Sequence, residues 1–161
     1  MGLRHRSSFR SGTFFITTST LDRTIYFSDI ADFKMLERNI EFYRNREKAN
    51  IFAYVIMPNH IHMIINIPEG GSISNFMRDF KHMTAREYNQ MRSLRSGRLW
   101  QARFDDVGLI TKEVALIKLN YIHQNPVRAG LVENIEDWKY SSVRFYMLGE
   151  KGVITITGME P

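Results

Sequence analysis

The spacing of apolar and polar positions divides the chain into a short run of elements. Residues 13–19, TFFITTS, are aromatic and β-branched, which predicts a strand. From Asp29 to about Arg46 the apolar residues Ile30, Phe33, Leu36, Ile40 and Tyr43 recur every three or four positions, predicting a helix with Ser28 as its N-cap. Residues 51–57 (IFAYVIM) and 61–67 (IHMIINI) predict two strands, and Pro58 and Asn59 between them predict a tight hairpin. Gly70, Gly71 and Ser72 then interrupt the pattern before a second helix, about Ile73 to Met91. Its inward stripe is Ile73, Phe76, Met77, Phe80, Thr84 and Tyr88, and its other face carries Arg78, Lys81, His82, Arg86 and Asn89. Residues 103–110 (RFDDVGLI) predict a fourth strand. A third helix is expected from an N-cap at Thr111, with Glu113 in its first turn, to about Asn125, because Pro126 disfavours helical geometry at the residue before it. Beyond the turn NPVRAG, SSVRFYML predicts a short helix capped by Ser141, while VITIT at 153–157 fits either an edge strand or a loose tail.

The resulting order, β-α-β-β-α-β, is the split βαβ arrangement of a ferredoxin-like α+β domain, in which the third strand lies beside the first in mid-sheet. No internal repeat and no linker interrupts it, so a single domain is expected, with its core over about residues 13–146. Alternation along the third strand sends Ile61, Met63, Ile65 and Ile67 to the face where two amphipathic helices pack. His60 and His62 go to the other face. The third helix is the element left to cover that side, and it brings Tyr121 towards the histidines.

Composition removes several classes of function. At 161 residues with 43% hydrophobic and 24% charged residues, the chain is neither disordered nor of low complexity. No apolar run approaches the ~18 residues of a membrane span, and the opening MGLRHRSSFRSGTFF lacks a continuous apolar stretch, so a cytoplasmic protein is expected. The absence of cysteine excludes disulfides and thiolate zinc sites. A net charge of +5 with pI near 9.6 points to a polyanionic partner, above all because the excess is concentrated. Between Arg78 and Arg103 stand seven basic residues against two acidic ones. Arg78, Lys81, Arg86, Arg95, Arg98 and Arg103 are the candidate phosphate contacts, weighed against an ordinary solvated helix face. Arg4, Arg6 and Arg10 form a second cluster.

The chemistry centres on His60 and His62. Two positions apart on a strand, they share a face with roughly 6.6–7 Å between them, within reach of one divalent metal. The isolated histidines His5, His82 and His123 are expected at the surface or hydrogen-bonded in the core. Hydrolase contexts for the pair are missing. Ile64 stands where a histidine triad needs its third His, Ile64 and Ile65 stand where a binuclear HxHxDH site needs Asp and His, and there is no P-loop or GxSxG elbow.

PNHIHMII resembles the His-hydrophobic-His motif of single-tyrosine transposases, and NYIHQNPVRAGLV followed by DWKYSS resembles the tyrosine-bearing region of their REP-associated branch. WQARFDDVGLI and FFITTSTLDRTIYF also match that branch, so the likeness spans about residues 13–146. It implies a nuclease and strand transferase acting on single-stranded DNA beside a hairpin of the palindromic-repeat type. In it His60 and His62 bind Mg²⁺ or Mn²⁺, Tyr121 is the nucleophile, and the third ligand is a polar residue one helical turn later, matching Asn125 with Gln124 as a rival. The implied product is a 5′-phosphotyrosine and a free 3′-hydroxyl; a phenol is mostly protonated at neutral pH, so it needs the metal or a base to activate it. Two other readings stand beside this one: a hairpin-binding module without turnover, and a small-molecule metallohydrolase independent of Tyr121. The resemblance leaves open monomer or homodimer, and whether Tyr121 serves the histidines of its own chain. Trp100 and Phe104 are either base-stacking surfaces or core, and Trp138 and Tyr140 are expected to pin the C-terminal segment to the domain.

Overall fold

Four antiparallel strands in the order β2-β3-β1-β4 form the sheet: β1 Gly12–Ser19, β2 Asn50–Met57, β3 His60–Ile67 and β4 Asp105–Gly108. The computed structural model describes residues 10–109 and 111–159. Helices α1 (Ile30–Arg46) and α2 (Ile73–Met91) cover one face, α3 (Lys112–Arg128) covers the other, and a short α4 (Val143–Leu148) follows. This is the split βαβ order read from the sequence, with β3 and β1 paired along their whole length at the centre.

Pleating sorts the side chains. Ile61, Met63, Ile65 and Ile67 join Phe14 and Ile16 against α1 and α2, and the buried residues of α2 are the stripe Ile73, Phe76, Met77, Phe80, Thr84 and Tyr88. On the opposite face a smaller apolar group, Phe15, Ala53, Val55, Met57 and Ile64, packs with Ile122 of α3. The large layer provides most of the apolar burial, at about 1.5–3 kcal/mol for each large side chain. The small layer is where a polar site can be built.

Several boundaries differ from the sequence expectation. α1 is capped by Asp29 rather than Ser28, because the carboxylate of Asp32 reaches back to accept from the backbone N–H of both Ser28 and Asp29. β4 has only four residues: Leu99, Trp100 and Phe104 turn into the core before it, and the ladder with β1 runs only from Phe14 to Thr17. Ile110, the last residue of the expected strand, lies outside the described residues, as does His5. α3 does not stop at Asn125 but continues through a buried Pro126 to Arg128. The terminator is Gly130, left-handed at φ 72, where Gly130 N–H bonds Val127 O and Leu131 N–H bonds Pro126 O, the paired bonds of a Schellman ending. The last short helix is capped at Ser142, although Ser141 Oγ accepts from Val143 N–H.

The free edge of β2 is covered rather than open. Val55 bridges Ser141, and Ile51 bridges Ile156, so the 153–157 segment docks on the edge by one bridge and is neither a full strand nor loose. Trp138 Nε1 donates to Ile56 O at 3.0 Å and Tyr140 stacks on Phe33 at 4.0 Å, which pins the chain leading into α4. Among the described residues no helix is long and apolar enough to cross a membrane.

Candidate active site

His60 opens β3 directly after the Pro58–Asn59 turn, and His62 follows on the same face, their rings 4.8 Å apart. Each ring is held through Nδ1 by a neighbouring side chain. His60 Nδ1 lies 2.7 Å from Asn59 Oδ1, and His62 Nδ1 lies 2.8 Å from Thr17 Oγ1, its register partner on β1. The second nitrogen of His60, Nε2, faces α3. Phe15 stacks on His62 with ring centres 5.4 Å apart and excludes water from its flank.

From the other side α3 presents Tyr121 and, one turn later, Asn125. Tyr121 stands edge-on to His62 with ring centres 5.3 Å apart, and edge-on to Phe15 at 6.1 Å. Asn125, itself buried, places Oδ1 3.2 Å from His60 Nε2, and no hydrogen bond of Gln124 to either histidine is present among the described residues. The helix can do this because it persists beyond Asn125, which keeps that residue on the Tyr121 face at i+4.

Burial pushes the His62 imidazole down to about 3, helped by the charges of His60, Arg23 and Lys118. Burial also lowers His60, opposed by the Asn125 amide oxygen, which would accept from the protonated ring. Both rings are therefore neutral at pH 7, the form that binds metal. When His60 donates from Nδ1 to Asn59, its Nε2 lone pair faces the Asn125 oxygen, an electron-rich pair that a cation would satisfy. Two neutral imidazoles and an amide oxygen are a donor set that a divalent metal can use, and the two held Nδ1 atoms orient the rings for it. Among the described residues no group of three or more His, Cys, Asp or Glu forms an alternative centre.

Sequence reasoning missed Thr17 and Asn59, the residues that orient the two rings. It also missed Lys118 and Arg128, which flank Tyr121. Lys118 Nζ is 4.7 Å from the Phe15 ring centre and 5.8 Å from that of Tyr121, and the Arg128 guanidinium is 5.3 Å from the Tyr121 ring centre. Their 3-4-3 spacing, Lys118-Tyr121-Asn125-Arg128, is a helix face that was available in the sequence. Asp105 of β4, opposite Thr17, faces the same side of the sheet.

The basic candidates of α2 lie over the other face. Arg78 pairs with Asp79, and the Lys81 ammonium, which burial pushes down to about 8, donates to Gln101 O at 2.5 Å. Arg86, Arg95, Arg98 and Arg103 are exposed. The loop carrying Arg95 and Arg98 runs to the histidine end of the sheet, since Gln101 N–H bonds Ser19 O and Ser19 pairs with His60. Trp100 and Phe104 are buried core, with Trp100 Nε1 donating to Thr84 Oγ1, and are not base-stacking surfaces. His123, also buried, bonds Ser142 Oγ at 2.9 Å, the structural role expected of it.

A ferredoxin-like sheet with a His-hydrophobic-His pair on a central strand, faced by a helical tyrosine, is the architecture of a single-tyrosine transposase domain. The family described as "Transposase IS200 like" matches residues 13–125, and the chain belongs to it, within the REP-associated tyrosine transposase branch. A REP-associated tyrosine transposase of Escherichia coli K12 is 27% identical over 134 residues, covering 83% of this chain and 77% of that protein. A Haemophilus influenzae protein provisionally given the same name is 30% identical over 145 residues, covering 83% and 80%. The fold is shared with the structure of a REP-associated tyrosine transposase bound to a REP hairpin, with TM-score 0.74, 24% identity and coverage of 100% and 94% of the two chains.

Proposed function

We propose that this protein is a metal-dependent endonuclease and strand transferase for single-stranded DNA beside palindromic-repeat hairpins, with Tyr121 as nucleophile and His60, His62 and Asn125 as metal ligands. The observation that carries the reading is the meeting of Tyr121 with His62 of the same chain, with Asn125 against His60. The arrangement supports a site complete within one chain. The hairpin partner is carried over from the relative solved with a REP hairpin, and the concentrated basic charge of 78–103 suits such a polyanion.

In the proposed reaction Tyr121 Oη attacks phosphorus while the bond to the 3′ oxygen breaks. The phenolic proton is lost to solvent, the departing 3′ oxygen takes one up, and a 5′-phosphotyrosine and a 3′-hydroxyl result. One phosphodiester replaces another, so the bond stays available for rejoining to a second end. A bound Mg²⁺ or Mn²⁺ would supply Lewis-acid polarisation of a non-bridging phosphate oxygen. The chain's own part is orientation: Asn59 and Thr17 hold the imidazoles, Phe15 keeps His62 dry, and α3 fixes Tyr121.

The test is a denaturing gel with end-labelled hairpin oligonucleotides bearing single-stranded flanks, with Mg²⁺ or Mn²⁺. A protein-linked DNA band is expected from the wild type and from neither Tyr121→Phe nor His62→Ala. Hairpin binding with no adduct under either metal would replace this reading with a binding module.

A further inference from the structure

The cations beside Tyr121 differ from most of the arginines on the other side of the sheet, Arg86 excepted. Arg38, Arg44, Arg46, Arg78 and Arg92 on α1 and α2 and in the loop beyond are all engaged by carboxylates. No ion pair among the described residues involves Lys118, Arg128 or Arg23. Yet all three stand around the site: Lys118 and Arg128 over the Tyr121 ring, and Arg23 lining the cleft beside Asn59 and His60.

Two features indicate that the convergence has a use. Arg23 and its neighbour Asp22 both hold left-handed backbone, φ 56 and φ 54, a costly conformation for non-glycine residues. That turn is tied down: Asn59, which orients His60, donates to Arg23 O at 3.0 Å, and Thr20 Oγ1 donates to Thr24 O at 2.6 Å. Secondly, a neutral His-His-Asn set would bring a divalent cation into this already positive space without a carboxylate ligand to offset it. Such a cation would add to the positive potential that Lys118 and Arg128 set up beside the Tyr121 ring, which favours an anion there.

We propose that Lys118 and Arg128, one on each side of Tyr121, grip the non-bridging oxygens of a single DNA phosphodiester and hold it against the tyrosine, with Arg23 closing the same pocket from the histidine side. This rests on the reading of Tyr121 as nucleophile, and it adds the residues that select and position the reacting phosphate. The grip is distinct from the basic loop and the α2 face, which meet the remaining backbone.

The test uses the full chain carrying Tyr121→Phe, so that binding is read without cleavage. Its probes are hairpin oligonucleotides with one neutral methylphosphonate stepped along the single-stranded flank. With Lys118 and Arg128 present, one position is expected to lower affinity about tenfold when neutralised. Lys118→Gln or Arg128→Gln should lower affinity for the unmodified oligonucleotide by a similar factor and make that position indifferent, while Lys118→Arg keeps the sensitivity. Thermal melting and Mn²⁺ titration of each variant report that fold and histidine pair are intact. Equal loss at every position, or no loss, overturns the proposal. Failure of adduct formation in the gel assay, with the single sensitive phosphate still present, would overturn the nuclease reading and leave the grip standing.

Discussion

Tyr121 and His62, from α3 and β3, meet edge to face with ring centres 5.3 Å apart within one chain. The helix follows β4 directly and packs on its own sheet through Ile122, so the contact is set by covalent connection and local packing. Mixing Tyr121→Phe with His62→Ala protein should therefore yield no DNA adduct at any ratio. Restored adduct in the mixture would show a site shared between chains.

Asn125 rather than Gln124 reaches His60. Calorimetric titration with Mn²⁺ is expected to show about tenfold or greater weakening for Asn125→Ala, and less than about twofold for Gln124→Ala. The reverse ranking would mean that α3 rotates when metal binds.

His123 is buried and its imidazole is pushed down to about 4 from 6.5. The unfolded chain then binds the extra proton between those values, so stability is full above pH 6.5 and falls as pH drops towards 4. The loss from this group approaches about 3 kcal/mol. His60 and His62 act in the same sense, and His123→Gln isolates the one residue: its melting temperature should fall less steeply than that of the wild type between pH 7 and 4.5. Parallel curves would remove His123 from the account.

Arg95 and Arg98 are exposed on the loop at the histidine end of the sheet. Replacing both by Ala should leave melting unchanged and reduce the slope of log affinity against log salt by about 1.4–1.8, roughly 0.7–0.9 for each lost phosphate contact. An unchanged slope would place the DNA elsewhere.

Trp100, by contrast, donates from within the core to Thr84 Oγ1. Trp100→Phe leaves that hydroxyl without its donor and should cost about 1–3 kcal/mol in denaturant unfolding, with hairpin affinity unaltered in the folded protein. Weaker binding without loss of stability would return Trp100 to the interface.

Strong periodicity made the fold legible in the sequence: the α2 stripe and the alternation of β3 each have one packing solution, and the structure adopts both. The His60 and His62 pair was legible from its spacing, and the approach of Tyr121 from the order of the elements, but the nucleophile role of Tyr121 and the part of Asn125 came only through resemblance, because β3 and α3 are brought together by tertiary packing. Pro126 misled the reading of α3, since loss of one backbone donor is outweighed where the proline is buried and Gly130 closes the helix with two bonds. Thr17 and Asn59 were invisible because orienting a histidine leaves no spacing signature. Lys118 and Arg128 were visible as a helix face but were read only as part of the general basic charge.

The central claim is that Tyr121 oxygen becomes bonded to phosphorus. The most direct measurement is mass spectrometry of tryptic peptides from the metal-dependent adduct after nuclease trimming. The account predicts a nucleotide 5′-phosphate on the peptide containing Tyr121 and a free 3′-hydroxyl on the released strand. A nucleotide on any other residue, or cleavage to free 5′-phosphate ends with no peptide linkage at any time point, would contradict it.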